Sequence, residues 1–284
     1  MSERILVTGS TGKVGGELVK ILIRNRKTFR AAARNPSARK MEQSVEFVEF
    51  DYDRPETFAL TLSGIDKVFL VARPGDNHSD KTAEPFIDEA IKARVCLIVN
   101  LTAMGVEQDE SFMLRILEKN IEKSGIPFIH LRPNWFMQNF NCPPMLAEIL
   151  AKGTLHLPAA DAKLSFIDVR DIAAVGYAAL TEERHSNRAY TLTGKEALSH
   201  FDVTEKLSRV SGKKITYVPI NEEIARAGLA KNGVPLALID RWADFYRKIR
   251  LGFCSPVTAD VDMLLGRPPI SFDQYAGDYA EVWK

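Results

Sequence analysis

The chain is poor in cysteine: among 284 residues there are three, Cys96, Cys142 and Cys254, far apart and odd in number. This excludes a disulfide framework and gives no zinc-ligand spacing. No apolar run is long enough to cross a bilayer, so no membrane association is expected. Charge of one sign is not in excess either. The 38 Lys and Arg balance 37 Asp and Glu to a net +1, and the basic residues are spread along the chain rather than gathered in a stripe. Nucleic acid is therefore not an expected partner, and a small molecule is. The N-terminus shows no basic segment, apolar stretch and small-residue cleavage site of the secretory kind, which points to a cytoplasmic location. The five histidines, at 78, 130, 156, 185 and 200, form no ligand spacing, and no metal is expected.

What is present is an alternation. Apolar, β-rich runs stand at 4–9 (RILVTG), 28–33 (TFRAAA), 45–50 (VEFVEF), 66–72 (DKVFLVA), 95–101 (VCLIVNL) and 127–132 (PFIHLR), with helical patterns near 13–25, 55–63, 80–93 and 110–124. Strands that alternate with helices imply right-handed crossovers and a mostly parallel sheet covered on both faces. The expected fold is α/β: a Rossmann-type doubly wound parallel sheet with a smaller C-terminal α/β lobe. Residues 1–150 are read as the dinucleotide-binding domain and 151–284 as a substrate-side lobe packed with it as one compact unit. The second part carries a short strand at 163–167 (KLSFI), a helix after DVRD, a strand at 189–194 (AYTLTG), a helix from about 199, a strand at 214–219 (KITYVP) and a helical tail.

The stretch LVTGSTGKVGGELV (6–19) places glycines at 9, 12 and 15 between the first strand and the first helix. The first glycine permits the tight turn, the second lets the backbone approach a pyrophosphate, and the third lets the helix pack closely. Free amides and the positive dipole end of the helix then face the phosphates. Gly9, Ser10, Thr11, Gly12, Lys13 and Val14 are the candidate pyrophosphate-binding residues.

This GxxGxxG spacing, with Thr8 before it, resembles the extended and atypical short-chain dehydrogenase/reductases. FDYDRPETF (50–58), LRPNWFMQNF (131–140), LSFIDVRDIAAV (164–175), the stretch from Tyr190 to Ile220 and FDQYAGDYAEVW (272–283) resemble its NmrA-like branch. That branch holds NADPH quinone reductases, triphenylmethane-dye reductases and the reductases of ergot alkaloid biosynthesis. The resemblance implies nucleotide contacts from Asp51, to the adenine amine, and from Tyr52, as an aromatic wall. A helix start at Asp53-Arg54-Pro55 is the plainer reading of the same stretch.

The cofactor follows from the residues after strand two, FRAAARNPSARK. An NAD site carries an acid there for the ribose hydroxyls. This stretch has none, and Arg34 stands near that place with Arg39 and Lys40 behind it. A guanidinium binds a 2′-phosphate that a carboxylate would repel, so NADP (NADPH) is the expected cofactor, with Arg34 on the 2′-phosphate. Val71 and Ala72 end strand four, Leu101 and Thr102 end strand five, and all four should border the cofactor, as should Pro133 after strand six.

The wider superfamily uses a Tyr and a Lys four residues on, in the helix before strand six. Counting back from SGIPF, those positions hold Glu110 and Leu114. No catalytic residue is assigned in their place. Arg115 and Lys119 lie about 100° and 140° off Leu114 at 100° per residue, which places them toward solvent. Without a proton donor, ketone reduction is disfavoured, since it makes an alkoxide. A quinone yields a stabilised phenolate, and an iminium ion or cationic dye becomes neutral on taking hydride. The expected partner is thus a small conjugated or cationic acceptor, and Asn134, Trp135, Phe136 and Asn139 are the candidates to meet it, with Phe140 as a further aromatic face. Asp168 and Asp171 read as an N-cap and a first-turn acid. The alternative function is a non-catalytic NADP-binding sensor of the NmrA type; the sequence leaves the oligomeric state open.

Overall fold

In the computed structural model, residues 3–36, 45–73, 76 and 78–284 are described, Arg184 without its side chain. Strand β1 (Ile5–Val7) leads into α1 (Lys13–Arg24), followed by β2 (Phe29–Ala33), β3 (Glu46–Glu49), α2 (Phe58–Leu62), β4 (Lys67–Val71), α3 (Ser79–Lys92), β5 (Leu97–Leu101), α4 (Met113–Lys123) and β6 (Phe128–Pro133). Then come α5 (Met145–Lys152), β7 (Thr154–Leu157), α6 (Val169–Thr181), β8 (Arg188–Leu192), α7 (His200–Ser211), β9 (Thr216–Pro219), α8 (Glu222–Lys231), α9 (Leu236–Arg250), α10 (Asp260–Leu265) and α11 (Phe272–Asp278).

Seven strands form one sheet in the order β3-β2-β1-β4-β5-β6-β8, every pair parallel. The expected doubly wound Rossmann-type fold is therefore present. Strands β4 (KVFLV) and β5 (LIVNL) are buried along their first four residues, because a parallel strand covered by helices on both faces has no solvent side to alternate with. Helix α1 is amphipathic and buries Val14, Leu18, Val19 and Leu22. Helix α6 crosses close over β4: a methyl group on Gly176 would lie 2.8 Å from the Phe69 ring.

The chain divides into two compact units, Met1–Pro133 with Val169–Leu192 and Met263–Gly266, and Asn134–Asp168 with Thr193–Asp262 and Arg267–Lys284. The sequence reading has a single boundary at residue 150; the units instead interleave, because β8 adds a strand to the first unit's sheet late in the chain. The second unit has its own core, built on Phe140, Phe166, Tyr217, Tyr246, Phe272, Tyr275 and Trp283. Its small parallel sheet pairs β7 with β9. Ser199 and Asp202 close a capping box on α7.

The strand expected at 163–167 is reduced to single bridges, Leu164 with Leu198 and Ile167 with Phe136. Its backbone is otherwise engaged: Ser165 N–H donates to the Cys254 carbonyl at 2.9 Å, and the Ser165 hydroxyl to the Pro256 carbonyl at 2.7 Å.

Candidate functional site

The loop after β1 is held from both sides. The Thr8 hydroxyl accepts from Val71 N–H at 2.8 Å, and the Ser10 hydroxyl donates to the Ala32 carbonyl at 2.7 Å. Gly9 turns with φ +59°, where a side chain is disfavoured, and a methyl group there would meet Val71 at 3.0 Å. A methyl group on Gly15 would lie 2.2 Å from the Gly9 carbonyl oxygen, so α1 sits directly on the turn.

Gly12 caps α1 without a side-chain hydrogen bond, and the first turn carries no acid. The amides at this end are thus not screened by a carboxylate, and Thr11, Gly12 and Lys13 beside them are exposed while Val14 is buried. A diphosphate suits such an end: the Gly12 N–H closes the turn on the Gly9 carbonyl at 2.8 Å, which brings the backbone close, and the helix presents its positive dipole end. Ser10, by contrast, is buried, with its hydroxyl committed to β2.

The other expected nucleotide residues follow or end the strands of the same sheet. Arg34 is exposed after β2 and makes no ion pair among the described residues; Arg39 and Lys40 lie outside them. Asp51 accepts from Asp53 N–H at 3.1 Å. The Tyr52 hydroxyl donates to the Val71 carbonyl at 2.9 Å, its ring lies edge-on to Phe50 at 4.8 Å, and burial pushes its phenol well above the ordinary range. Val71 and Ala72 are half-buried. At the end of β5, Leu101 is half-buried and the Thr102 hydroxyl is buried without a hydrogen-bond partner. Pro133 accepts from Met104 N–H at 3.0 Å, tying the loop after β5 to β6.

Glu110, at the expected tyrosine position, is exposed and ion-paired with Lys119 and, at 3.4 Å, with Arg115. Leu114 is half-buried. Arg115 is only 16% exposed, contrary to its expected place in solvent. It bridges Glu118 at 2.9 Å and Glu122 at 2.8 Å. Glu118 is fully buried and also takes Arg132 from β6 at 2.7 Å. Burial raises the Glu118 carboxyl, but Arg132, His130 and Arg115 outweigh it and hold the group below the usual carboxylate range. His130 is pushed down to about 4 by burial, against the pull of Glu118 and Glu122.

Periodicity places Glu118 only about 40° from Leu114, inside the apolar stripe, but does not show its partner Arg132, which comes from β6. Among the described residues, Glu118, Glu122 and His130 bring ligand atoms within 4.8 Å of one another. The Arg115 guanidinium already bridges the two carboxylates, which is the work a cation would do there.

In the second unit, the Asn134 amide is committed. It donates to the Ser165 hydroxyl and the Cys254 carbonyl, both at 2.7 Å, and accepts from Trp135 N–H at 2.8 Å. Trp135 and Phe136 are half-buried, and Trp135 lies edge-on to Tyr246 at 5.6 Å. Asn139 is half-buried. Phe140 is 1% exposed and packs with Phe166 and Phe272, so it belongs to the core rather than to an acceptor face. Asp168, immediately before α6, accepts from Gln138 at 2.9 Å.

A family model described as NAD(P)H-binding matches residues 9–183. The NAD(P)H azoreductase of Xenophilus azovorans is 32% identical over 297 residues, covering 98% of this chain and 99% of the relative. Agroclavine dehydrogenase of Claviceps fusiformis is 30% identical over 287 residues, covering 98% of each. Among solved structures, the triphenylmethane reductase of a Citrobacter species superposes with a TM-score of 0.83 at 25% identity, over 98% of this chain and 100% of that one.

Proposed function

The chain belongs to the NAD(P)H-binding family, in the NmrA-like branch of the atypical short-chain dehydrogenase/reductases, and on that premise we propose that it passes hydride from NADPH to a conjugated or cationic acceptor needing no proton from the protein. It is an NAD(P)H-dependent reductase. Bound NADPH supplies the hydride. Gly9, Thr11, Gly12 and Lys13 at the start of α1 receive its pyrophosphate, Arg34 its 2′-phosphate, and Asp51 and Tyr52 its adenine. Val71, Ala72, Leu101, Thr102 and Pro133 border it at the carboxyl ends of the strands.

One observation carries the acceptor class. Helix α4, MLRILEKNIEK, has no tyrosine, and Glu110 at the tyrosine's place is neutralised by Arg115 and Lys119. A carboxylate engaged with two cations is committed to them rather than aimed at an acceptor as a general acid. An acceptor whose reduced form is neutral or a stabilised anion fits this site: a quinone, an iminium ion or a cationic dye. The protein's part is then to hold donor and acceptor close and aligned. Trp135 and Phe136 supply flat faces for such an acceptor, and the Asn134 hydrogen bonds fix the backbone that presents them.

The test is NADPH oxidation with a panel of quinones, cationic triarylmethane dyes and azo dyes, run beside direct NADPH titration. Turnover of the quinones or the cationic dyes supports the reading, whereas turnover of the azo dyes alone would call for a proton donor. Tight NADPH binding with no turnover across the panel would instead make the protein a sensor.

A further inference from the structure

Strands β3 and β4 stand three places apart in the sheet, about 14 Å at the ordinary interstrand spacing. The segment after β3 nevertheless reaches β4. Besides the Tyr52 hydrogen bond to Val71, the Arg73 guanidinium beyond β4 lies 3.3 Å from Asp51 and 2.8 Å from Asp53. Two carboxylates thus converge on one cation. Asp53, and then Asp51 and Asp76, hold Arg73 more firmly charged than a free arginine.

Arg34 is placed differently. It follows β2 at the register where Ala33 faces Glu49 and the Ala33 carbonyl accepts from Phe50 N–H. Arg34, which makes no ion pair among the described residues, therefore follows the strand next to the one that leads to Asp51. Unmasked, Asp51 and Asp53 would compete for Arg34 and repel a phosphate brought to it. An acid in this neighbourhood is also what an NAD site uses on the ribose hydroxyls.

We propose that Arg73 is a specificity-determining positioning residue: by neutralising Asp51 and Asp53 it keeps the adenosine end of the site open to a 2′-phosphate and leaves Arg34 free to bind it. The proposal rests on the NADP reading above. Arg73 acts through the two aspartates and need not touch the nucleotide. The Arg73–Asp53 link is the shorter of the two, and Asp53 is 70% exposed, so removing either partner leaves the core untouched.

Calorimetric titration with 2′,5′-ADP and 5′-AMP, which differ only in the 2′-phosphate, tests this without turnover. The wild type prefers 2′,5′-ADP. Arg73→Ala weakens 2′,5′-ADP binding about fivefold, the scale of a screened surface charge pair, and leaves 5′-AMP within about twofold. Arg73→Lys keeps the preference, and adding Asp53→Asn to Arg73→Ala restores at least half of it. Equal weakening of both probes would overturn the proposal, as would an unchanged preference in Arg73→Ala or no recovery in the double variant. A wild type with no preference for 2′,5′-ADP would overturn the NADP reading itself, and this proposal with it.

Discussion

Two adjacent glycines in α1 predict opposite outcomes for the same substitution. A methyl group on Gly15 would lie 2.2 Å from the Gly9 oxygen, 2.8 Å from the Gly9 carbonyl carbon and 3.2 Å from the Ser10 Cα, all backbone atoms with no flexible end to give way. The shortfall against ordinary contact is about 1 Å, so α1 or the loop must move. Overpacking of this kind costs roughly 1–3 kcal/mol, of which about 1 kcal/mol is returned by replacing glycine in a helix. At Gly16 a methyl group would meet the Ser10 carbonyl at 3.6 Å, an ordinary contact, and only the helical gain of about 0.5–1 kcal/mol remains. Thermal melting and NADPH fluorescence titration separate the two. Gly16→Ala should melt at or above the wild type and bind NADPH within about threefold. Gly15→Ala should melt lower and lose about tenfold or more in affinity, because a displaced loop no longer aims its amides at the pyrophosphate. A Gly15→Ala protein that binds like the wild type, or both variants failing together, would refute the packing argument.

Arg34→Ala should weaken NADPH binding by about tenfold or more, the worth of a charge-assisted hydrogen bond, and barely alter NADH; equal losses in titration would dismiss the 2′-phosphate assignment. Glu118→Gln leaves Arg115 and Arg132 without their buried counter-charge, so urea denaturation should register a loss of about 3 kcal/mol, and an unchanged midpoint would mean that the network contributes little. His200 is 2% exposed among Phe140, Phe166 and Tyr217, and burial pushes its imidazole down to about 4. Its folded value lies below the unfolded one, so its contribution is complete above about 6.5 and is lost as the pH falls toward 4, up to about 3 kcal/mol. Melting profiles from pH 7 to pH 4.5 should therefore be flatter for His200→Phe than for the wild type, and parallel profiles would exclude His200 as a cause.

The glycine turn was legible in the sequence because its constraints are local: the spacing of Gly9, Gly12 and Gly15 encodes turn, approach and packing within seven residues. The parallel sheet was legible because strands such as FLV and LIV, covered on both faces, stay apolar throughout. Contacts between distant segments were not legible. Arg115 read as a solvent residue because helical periodicity sees one helix, while Glu118, which draws it inward, owes its burial to Arg132 on β6. Strand β7, TLHL, alternates between half-buried and buried residues, but four residues are too short a run to stand out and its partner β9 is some sixty residues away. Asn134 read as a substrate residue, yet its amide bonds are made to Ser165 and Cys254, which only the folded chain brings near. The pairing of Arg73 with Asp51 and Asp53 was hidden for the same reason.

Whether hydride transfer here needs a proton from the protein is decided by a paired comparison, with none expected to be needed. Initial rates of NADPH oxidation are measured with a cationic triarylmethane dye and with a simple aryl ketone, each across pH 6 to 9. The dye should turn over at a rate that varies little with pH while it stays cationic, with no measurable reduction of the ketone. Reduction of the ketone with comparable kcat/KM, falling as pH rises through a single ionisation, would reveal a protein acid and contradict this expectation.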